Sequence, residues 1–482
     1  MLQNAWITAA HDDGQVRLTA TAQRGGEAKR STTAAILAEL RSIFLPVGYP
    51  ESVRPEYLQF QIYDTLQAAC SYLRSILTTS AILRGAGVGE DSASPMAAAV
   101  AWVLRDGVGM FGSLLFSYAV GANFDANVKE WRLFADLIND LGMTLDLLAP
   151  LAGSPTGFMV VAATGAACKT ICGMTAGATR ASITAHFALR GNLADVSAKE
   201  SAQETAVTLI GLVAGTALAS RLGDSAVTSW VAFIVLTLLH VWANWHGVGC
   251  LTFHDLNPQR AQIVARSWCA GAAVSAASAG PSQRKRSSST TKPSSAAAAA
   301  ASPSSKQRDS PDCDAALAPS QVSREERVWR PLYLMLRGPK LGVGLKALLD
   351  TTAADGGASQ LGQLESIFGA QGYLLRLNAK GRPCVALRPA ASGETVLKAM
   401  LHCAACAAAG ELGGRWAVAR ARGSSGLGEE EALALRESLA FVDAQWEAFR
   451  AALEASGWVQ VADRICVDHF AGPLRVRVGR GD

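Results

Sequence analysis

Charge is what this sequence is short of. Asp, Glu, Lys and Arg make up only 17% of its 482 residues, where a soluble domain carries about 25%. Half of the residues are hydrophobic and the mean hydropathy is +0.19. That composition points to membrane association or to a deeply buried helical core. No basic block interleaved with aromatics occurs, so nucleic acid is not an expected partner. Nor is there a G-x-S-x-G, an H-E-x-x-H, a P-loop or a kinase signature, and the reaction classes those motifs carry lose their support. The 44 basic and 40 acidic residues leave a net charge of +4, too small to favour a charged partner.

Other features fall short of the sites they suggest. The ten cysteines are scattered, and Cys70, Cys168, Cys172 and Cys250 sit in apolar stretches. They read as reduced, buried thiols, because a disulfide framework belongs to short secreted chains. The run from His402 to Cys406 contains a C-x-x-C but lacks a second ligand pair for zinc. A c-type haem needs its histidine after the second cysteine, so small thiols on an alanine-rich helix are expected. Gly85, Gly87 and Gly89 follow a helical pattern where a dinucleotide loop needs a preceding strand, so they read as a helix-ending turn. The first residues hold no apolar signal-peptide core. Arg17, Arg24, Lys29 and Arg30 give a faint likeness to an organellar transit peptide, which Asp12, Asp13 and Glu27 oppose.

What is present is mainly helix. Residues 1–43 are expected to form a disordered tail with one short helix over 32–43. Pro46, Pro50 and Pro55 then impose an ordered collar. From Gln59 onward, Phe60, Tyr63, Leu66, Cys70 and Leu73 recur at helical spacing, with Gln61, Asp64 and Arg74 on the polar face. Four apolar segments follow, at 96–122, 157–178, 206–220 and 226–244. A membrane span needs about 20 apolar residues. The fourth segment qualifies and the third is at the short edge; the first two qualify if their polar residues face other helices. Stripes of small residues at Gly173, Gly177 and Ala181, and at Gly211, Gly215 and Ala219, predict close helix contacts. Trp230, Trp242 and Trp245 lie near the ends of the last segment, as an interfacial belt would. Four spans would put the N-terminus, a loop with Arg180, Arg190 and Lys199, and everything past Asn244 on one side.

Residues 271–323 collapse to Ser, Ala and Pro, from which no core can be built, so a disordered linker is expected. Beyond it, 324–478 reads as a small α+β module. A hairpin turns around 378–381, helices cover 393–409 and 429–456, and a last strand is expected near 464–468. The expected architecture is thus a mainly α, membrane-embedded bundle over 44–258, a linker, and this α+β module.

Polar residues concentrate between Val128 and Thr205. Asp136 and Asp140 share a helix face beside Asn139. Such a pair suits a divalent metal or a proton relay, but ion pairing to Arg105 or Arg180 is the favoured reading. Arg105 and Asp106 are adjacent and point about 100° apart, so each needs a partner elsewhere. His186 shares a face with Arg190, as His240 does with Asn244; a histidine among apolar residues usually serves as a hydrogen-bonded core group. Lys169 and Lys199 are chemically able to form a Schiff base, yet nothing nearby singles either out.

Several long stretches resemble the root UVB-sensitive family. They are FLPVGYPESVRPEYLQFQIYDTLQAACSYLRSILTTSAIL, GVGEDSA, WVLRDGVGMFGSLLFSY, WRLFADLINDLGMTLDLLAP, AGATRASITAHFA and NLADVSAKESAQET. The resemblance runs from Phe44 to about Asn257 and extends to the C-terminal module through its hairpin and SLAFVDAQWEAFRAALEASGW. The Ser/Ala linker departs from the family in length and composition, and its alanine bias suggests an algal source. The resemblance implies an integral membrane protein of an organelle, plastid or mitochondrion, linked in plants to UV-B response, auxin transport and vitamin B6 homeostasis. It supplies no catalytic residues, and the cofactor stays unknown. The polar residues of the matching motifs are Arg105, Asp106, Arg132, Asp136, Asn139, Asp140, Arg180, His186, Lys199, Glu200 and Glu204, expected to form one network or ligand site. A non-enzymatic protein that binds or carries a small molecule is expected, with a C-terminal module that binds a family paralogue or a second copy. A membrane-bound enzyme handling pyridoxal phosphate and a membrane scaffold are the alternatives.

Overall fold

The computed structural model describes residues 5–12, 15–22, 32–86, 95–120, 124–222, 225–278, 316–330, 339–344, 348–349, 354–378, 382–389, 391–411 and 428–458. Prolines and caps set the helix boundaries. Helix α1 (Thr32–Phe44) is separated from α2 (Tyr57–Gly85) by the proline collar. Helix α3 (Pro95–Val120) and α4 (Val128–Leu148) follow. A short turn at Ala149–Leu151 holds Pro150, and Pro155 then opens α5 (Pro155–Phe187). The Ser154 side chain caps that helix by accepting from the Gly157 amide at 3.0 Å, satisfying one of its orphan donors. Helix α6 (Leu193–Leu222), α7 (Ala226–Cys250) and α8 (Pro258–Ser278) complete this half.

Helix α2 is the hub, packing on α4, α6 and α7, while α5 lies against α3 and α4. Among the described residues, α5, α6 and α7 are long and apolar enough to cross a membrane. The first of the four apolar segments expected to span, α3, is not among these three and carries Arg105 and Asp106. Even so, α3 exposes Val103, Met110, Phe111 and Leu114, and α6 and α7 expose Ile210, Val213, Val235 and Leu238. Soluble monomers rarely expose contiguous apolar surface on this scale, whereas lipid chains cover it at no cost. The expected loop carrying Arg180, Arg190 and Lys199 is also revised. Arg180 lies within α5 and Lys199 within α6, and only a tight turn separates the two helices.

The C-terminal half contains α9 (Pro319–Glu325), β3 (Lys340–Leu341), α10 (Ala354–Phe368), β4 (Tyr373–Leu377), β5 (Pro383–Leu387), α11 (Gly393–Glu411) and α12 (Glu429–Ala455). The expected hairpin is there: β4 and β5 pair antiparallel with Leu375 opposite Val385, and β3 joins β5 in parallel. Helix α8 belongs to this half by packing. Its Val264, Ala265 and Trp268 share a core with Leu397, Leu401, Val442 and Phe449.

Two sequence expectations change at their edges. Ala5–Asp12 and Gln15–Ala22 pair as an antiparallel hairpin, β1 and β2, where an irregular tail is predicted; alternating polar and apolar residues suit a strand as well as a tail. Helix α8 reaches Ser278 and α9 starts at Pro319, so ordered chain enters both ends of the predicted linker. Its middle, 279–315, and the strand predicted near 464–468 lie outside the described residues.

Candidate functional site

The first polar cluster forms where α2, α4 and α7 meet. Arg74, with no exposed surface, reaches Asp140 Oδ1 at 2.5 Å and donates to Thr237 Oγ1 at 3.1 Å. His240 stands between Asp140 Oδ2, 3.2 Å from its Nδ1, and Gln67 Oε1, 3.1 Å from its Nε2. Asn244 lies one turn on and contacts the same ring at 3.2 Å. Gln67 donates to Asp64 Oδ1 at 3.2 Å, and Arg132 donates to the same oxygen at 3.0 Å. Arg132 also pairs with Asp136 one turn along α4 at 3.5 Å, and Asn139 donates to Ser71 at 3.4 Å. Every charge here is paired, as burial in a low-dielectric interior demands.

The second cluster lies between α5 and α6. Arg180 reaches Glu204 at 2.7 Å and Glu200 at 3.7 Å. Glu200 is buried and accepts from Thr184 at 2.8 Å and from Gln61 at 3.3 Å. Between the clusters is a cavity of about 30 Å³ lined by Asp64, Arg132, Arg180, Glu200 and Glu204, with Phe60 and Ile183 as its apolar wall. That volume holds a water or two. Five ionisable side chains from four helices therefore converge on one small space.

The remaining sequence-predicted residues sit elsewhere. Arg105 stacks over Trp102 of its own helix at 4.5 Å, and among the described residues the Asp106 carboxylate has no hydrogen bond or ion pair. The partners expected for Asp136 and Asp140 were Arg105 or Arg180; the structure supplies Arg132, one turn back on α4 itself, for Asp136, and Arg74 for Asp140, because α2 and not α3 or α5 carries the facing arginine. His186 Nε2 lies 2.9 Å from Glu56, whose carboxylate also accepts from the Thr252 amide at 3.2 Å, tying the collar to the ends of α5 and α7. Burial raises the Glu56 carboxyl, yet these hydrogen bonds hold it below its ordinary value. Lys199 donates to the Ser42 carbonyl and does not line the cavity. Lys169 pairs with Asp146.

Sequence reasoning left Gln61, Asp64, Gln67 and Arg74 out of the site, although their recurrence at spacings of three, three and seven residues along α2 was a usable signal. Among the described residues, no group of three or more His, Cys, Asp and Glu is placed to hold a metal ion. In the C-terminal half, His402 bridges Tyr373 Oη at 3.0 Å and Ser438 Oγ at 2.8 Å. Burial pushes this histidine down to about 3, so it is a neutral core group sealed from substrate. Cys403 and Cys406 beside it are free and buried, as the alanine-rich helix predicted.

Residues 30–271 match the family model described as the vitamin B6 photo-protection and homoeostasis domain, and 315–469 match that of the root UVB sensitive protein, C-terminal. The chain is 45% identical over 221 residues to Protein root UVB sensitive 3 of Arabidopsis thaliana, covering 46% of this chain and 50% of that protein. It is 41% identical over 227 residues to RUS family member 1 of Dictyostelium discoideum, covering 47% and 43%. Identity to Protein root UVB sensitive 2, chloroplastic, of Arabidopsis thaliana is 36% over 221 residues, covering 46% and 50%. The chain thus spans about half the length of the curated relatives it matches. No solved structure matches. Helical bundle and C-terminal half each fall under a model of one family, and the chain belongs to the root UVB-sensitive family.

Proposed function

We propose that the bundle is a membrane domain that binds a small polar molecule at the Asp64–Arg132–Arg180–Glu200–Glu204 cavity and carries it or presents it across the bilayer. The observation behind this reading is the convergence of those five ionisable groups on one space between apolar helices. They sit at the end of α6 from which its lipid-facing part begins, and ionisable residues that face the interior of a membrane bundle mark solute or proton pathways. Two arginines and three carboxylates suit a zwitterion or a phosphorylated, partly cationic solute. The name of the matched domain makes vitamin B6 compounds the first candidates. At about 30 Å³ the cavity is too small for a pyridoxal ring, so binding requires α5 and α6 to part from α2 and α4.

This reading places the protein in an organelle membrane, and the chloroplastic relative favours the plastid over the mitochondrion. The C-terminal half would face the aqueous side and engage a paralogue or a second copy. An enzyme using pyridoxal phosphate is the weaker reading, because neither Lys169 nor Lys199 lines the cavity. The test is thermal stabilisation of the purified full chain by pyridoxal, pyridoxine and pyridoxal phosphate. Stabilisation that disappears in Arg132→Met and in Arg180→Met supports the reading. A response that survives both substitutions, or no response to any vitamer, removes it; an imine absorbance would instead revive the enzyme.

A further inference from the structure

We infer that α1 lies in the plane of the membrane interface, with its Ile36–Leu37–Leu40–Ile43 face seated in the boundary between headgroups and acyl chains. At about 100° per residue, these four and Phe44 fall within an arc of about 120°. Glu39 and Arg41 flank that arc on either side, and Ala35, Ala38 and Ser42 lie opposite it. The rest of the described chain does not cover the apolar face. Ile36 is 55% exposed, Leu37 65%, Leu40 44% and Ile43 47%. A helix of 13 residues is marginal in water unless an apolar face is buried. The face therefore needs a surface to lie on.

The attachment of α1 says which surface. Its last-turn carbonyls are held by α6: Ser42 O accepts from Lys199 Nζ at 2.5 Å and Phe44 O from Gln203 Nε2 at 2.7 Å. These bonds satisfy acceptors a helix end leaves unpaired, and the lysine also complements the negative end of the dipole. Six residues beyond Gln203, about 9 Å along the axis, α6 is apolar and outward-facing, with Leu209, Ile210 and Val213 exposed. So α1 is fixed at the level where the lipid-facing part of a candidate span begins, which is where amphipathic helices lie flat. Arg41 donates to Tyr49 O at 2.9 Å and packs over its ring, holding the helix against the collar. With Glu39 balancing Arg41, apolar area and not charge drives the contact. A zwitterionic phospholipid surface is a sufficient partner.

The inference rests on α6 crossing the bilayer, and the experiment separates the two claims. The full chain in phosphatidylcholine nanodiscs is photolysed with either of two diazirine phospholipids, one reactive near the headgroup and one in mid-chain, and adducts are mapped by mass spectrometry. The shallow probe is expected to label 36–43 and the deep probe to label α6 and α7. In Leu37→Glu/Leu40→Glu the labels on α1 should fall to background while those on the spans persist. Deep labelling of the spans with a clean α1 overturns the inference and leaves the membrane domain standing. Crosslinks from α1 to a second copy overturn it in favour of a protein interface. Absence of deep labelling would remove the membrane reading as well.

Discussion

Arg74 shows how the bundle handles charge at the level of single residues. It is fully enclosed, and its ion pair with Asp140 is shared with His240 and Thr237. Removing one partner of a buried pair strands the other, at a cost of about 3–5 kcal/mol, whereas replacing both with apolar groups is often near neutral. Asp140→Leu is therefore expected to destabilise the detergent-solubilised protein strongly, and Arg74→Met/Asp140→Leu to recover much of the loss. Equal losses in the single and double variants would show that the pair does not set stability. Sequence periodicity placed Arg74 on the polar side of α2, which is correct, but did not say which way that side turns. Here the polar Gln61, Gln67, Arg74 and Thr78 are inside, and Leu58, Ile62 and Leu83 are among the exposed residues. Periodicity reports that two faces differ; which face turns inward depends on whether the surroundings are water or lipid. The Asp136–Asp140 stripe was legible because its spacing is a property of one helix. Of its arginine partners, Arg132 lies one turn away on the same helix and was equally within reach, whereas Arg74 was not, because it comes from the pairing of α4 with α2.

At the scale of elements, close approach depends on glycine, though only partly where the small-residue stripes predict it. The stripe on α6 packs on α2: a Cβ at Gly211 would meet the Tyr72 ring at 2.7 Å, and one at Gly215 would meet the end of Ile76. The stripe on α5 does not behave this way, since Gly173 and Gly177 have open space beside them. The tight crossing of α5 is with α4, at a different pair. A Cβ on Gly165 would lie 2.8 Å from Asp146 Oδ1 and 2.9 Å from the Gly142 carbonyl oxygen, and one on Gly142 would lie 2.8 Å from the Gly165 carbonyl oxygen. A backbone oxygen yields less readily than a side-chain tip. The same substitution on the same helix should then act with opposite signs. Gly165→Ala is expected to cost about 1–3 kcal/mol by overpacking, while Gly173→Ala gains up to about 1 kcal/mol of helix propensity. Unfolding midpoints of the two variants against the parent decide it, and similar shifts in one direction would contradict the crossing described.

Across the whole molecule, the two halves are joined by a strap that the composition of the linker conceals. The segment 316–330, straight after the low-complexity stretch, lays Val328 against Leu133 of α4 and Val248 of α7. It also delivers Glu326 between two buried cations, 2.8 Å from Lys129 Nζ on α4 and 2.8 Å from Arg260 Nε on α8. Arg330 adds an ion pair to Glu130 and donates to Asn127 at 3.1 Å. One carboxylate thus holds an arginine of the helix that packs with the C-terminal core and a lysine of the bundle. Burial lowers the pKa of Lys129, and Glu326 acts against that shift to keep its charge. Glu326→Ala would leave both cations buried without their shared partner, which should cost about 3–5 kcal/mol. The loss should fall on the junction, since neither hydrophobic core includes this carboxylate. Hydrogen exchange is therefore expected to quicken across 316–330 and the start of α8, while amides in α5 and in β4 keep their protection. Unchanged exchange in the strap would mean that Val328 and Arg330 hold it without Glu326. Faster exchange throughout would show instead that bundle and C-terminal half unfold as one cooperative body, with the strap as part of its core.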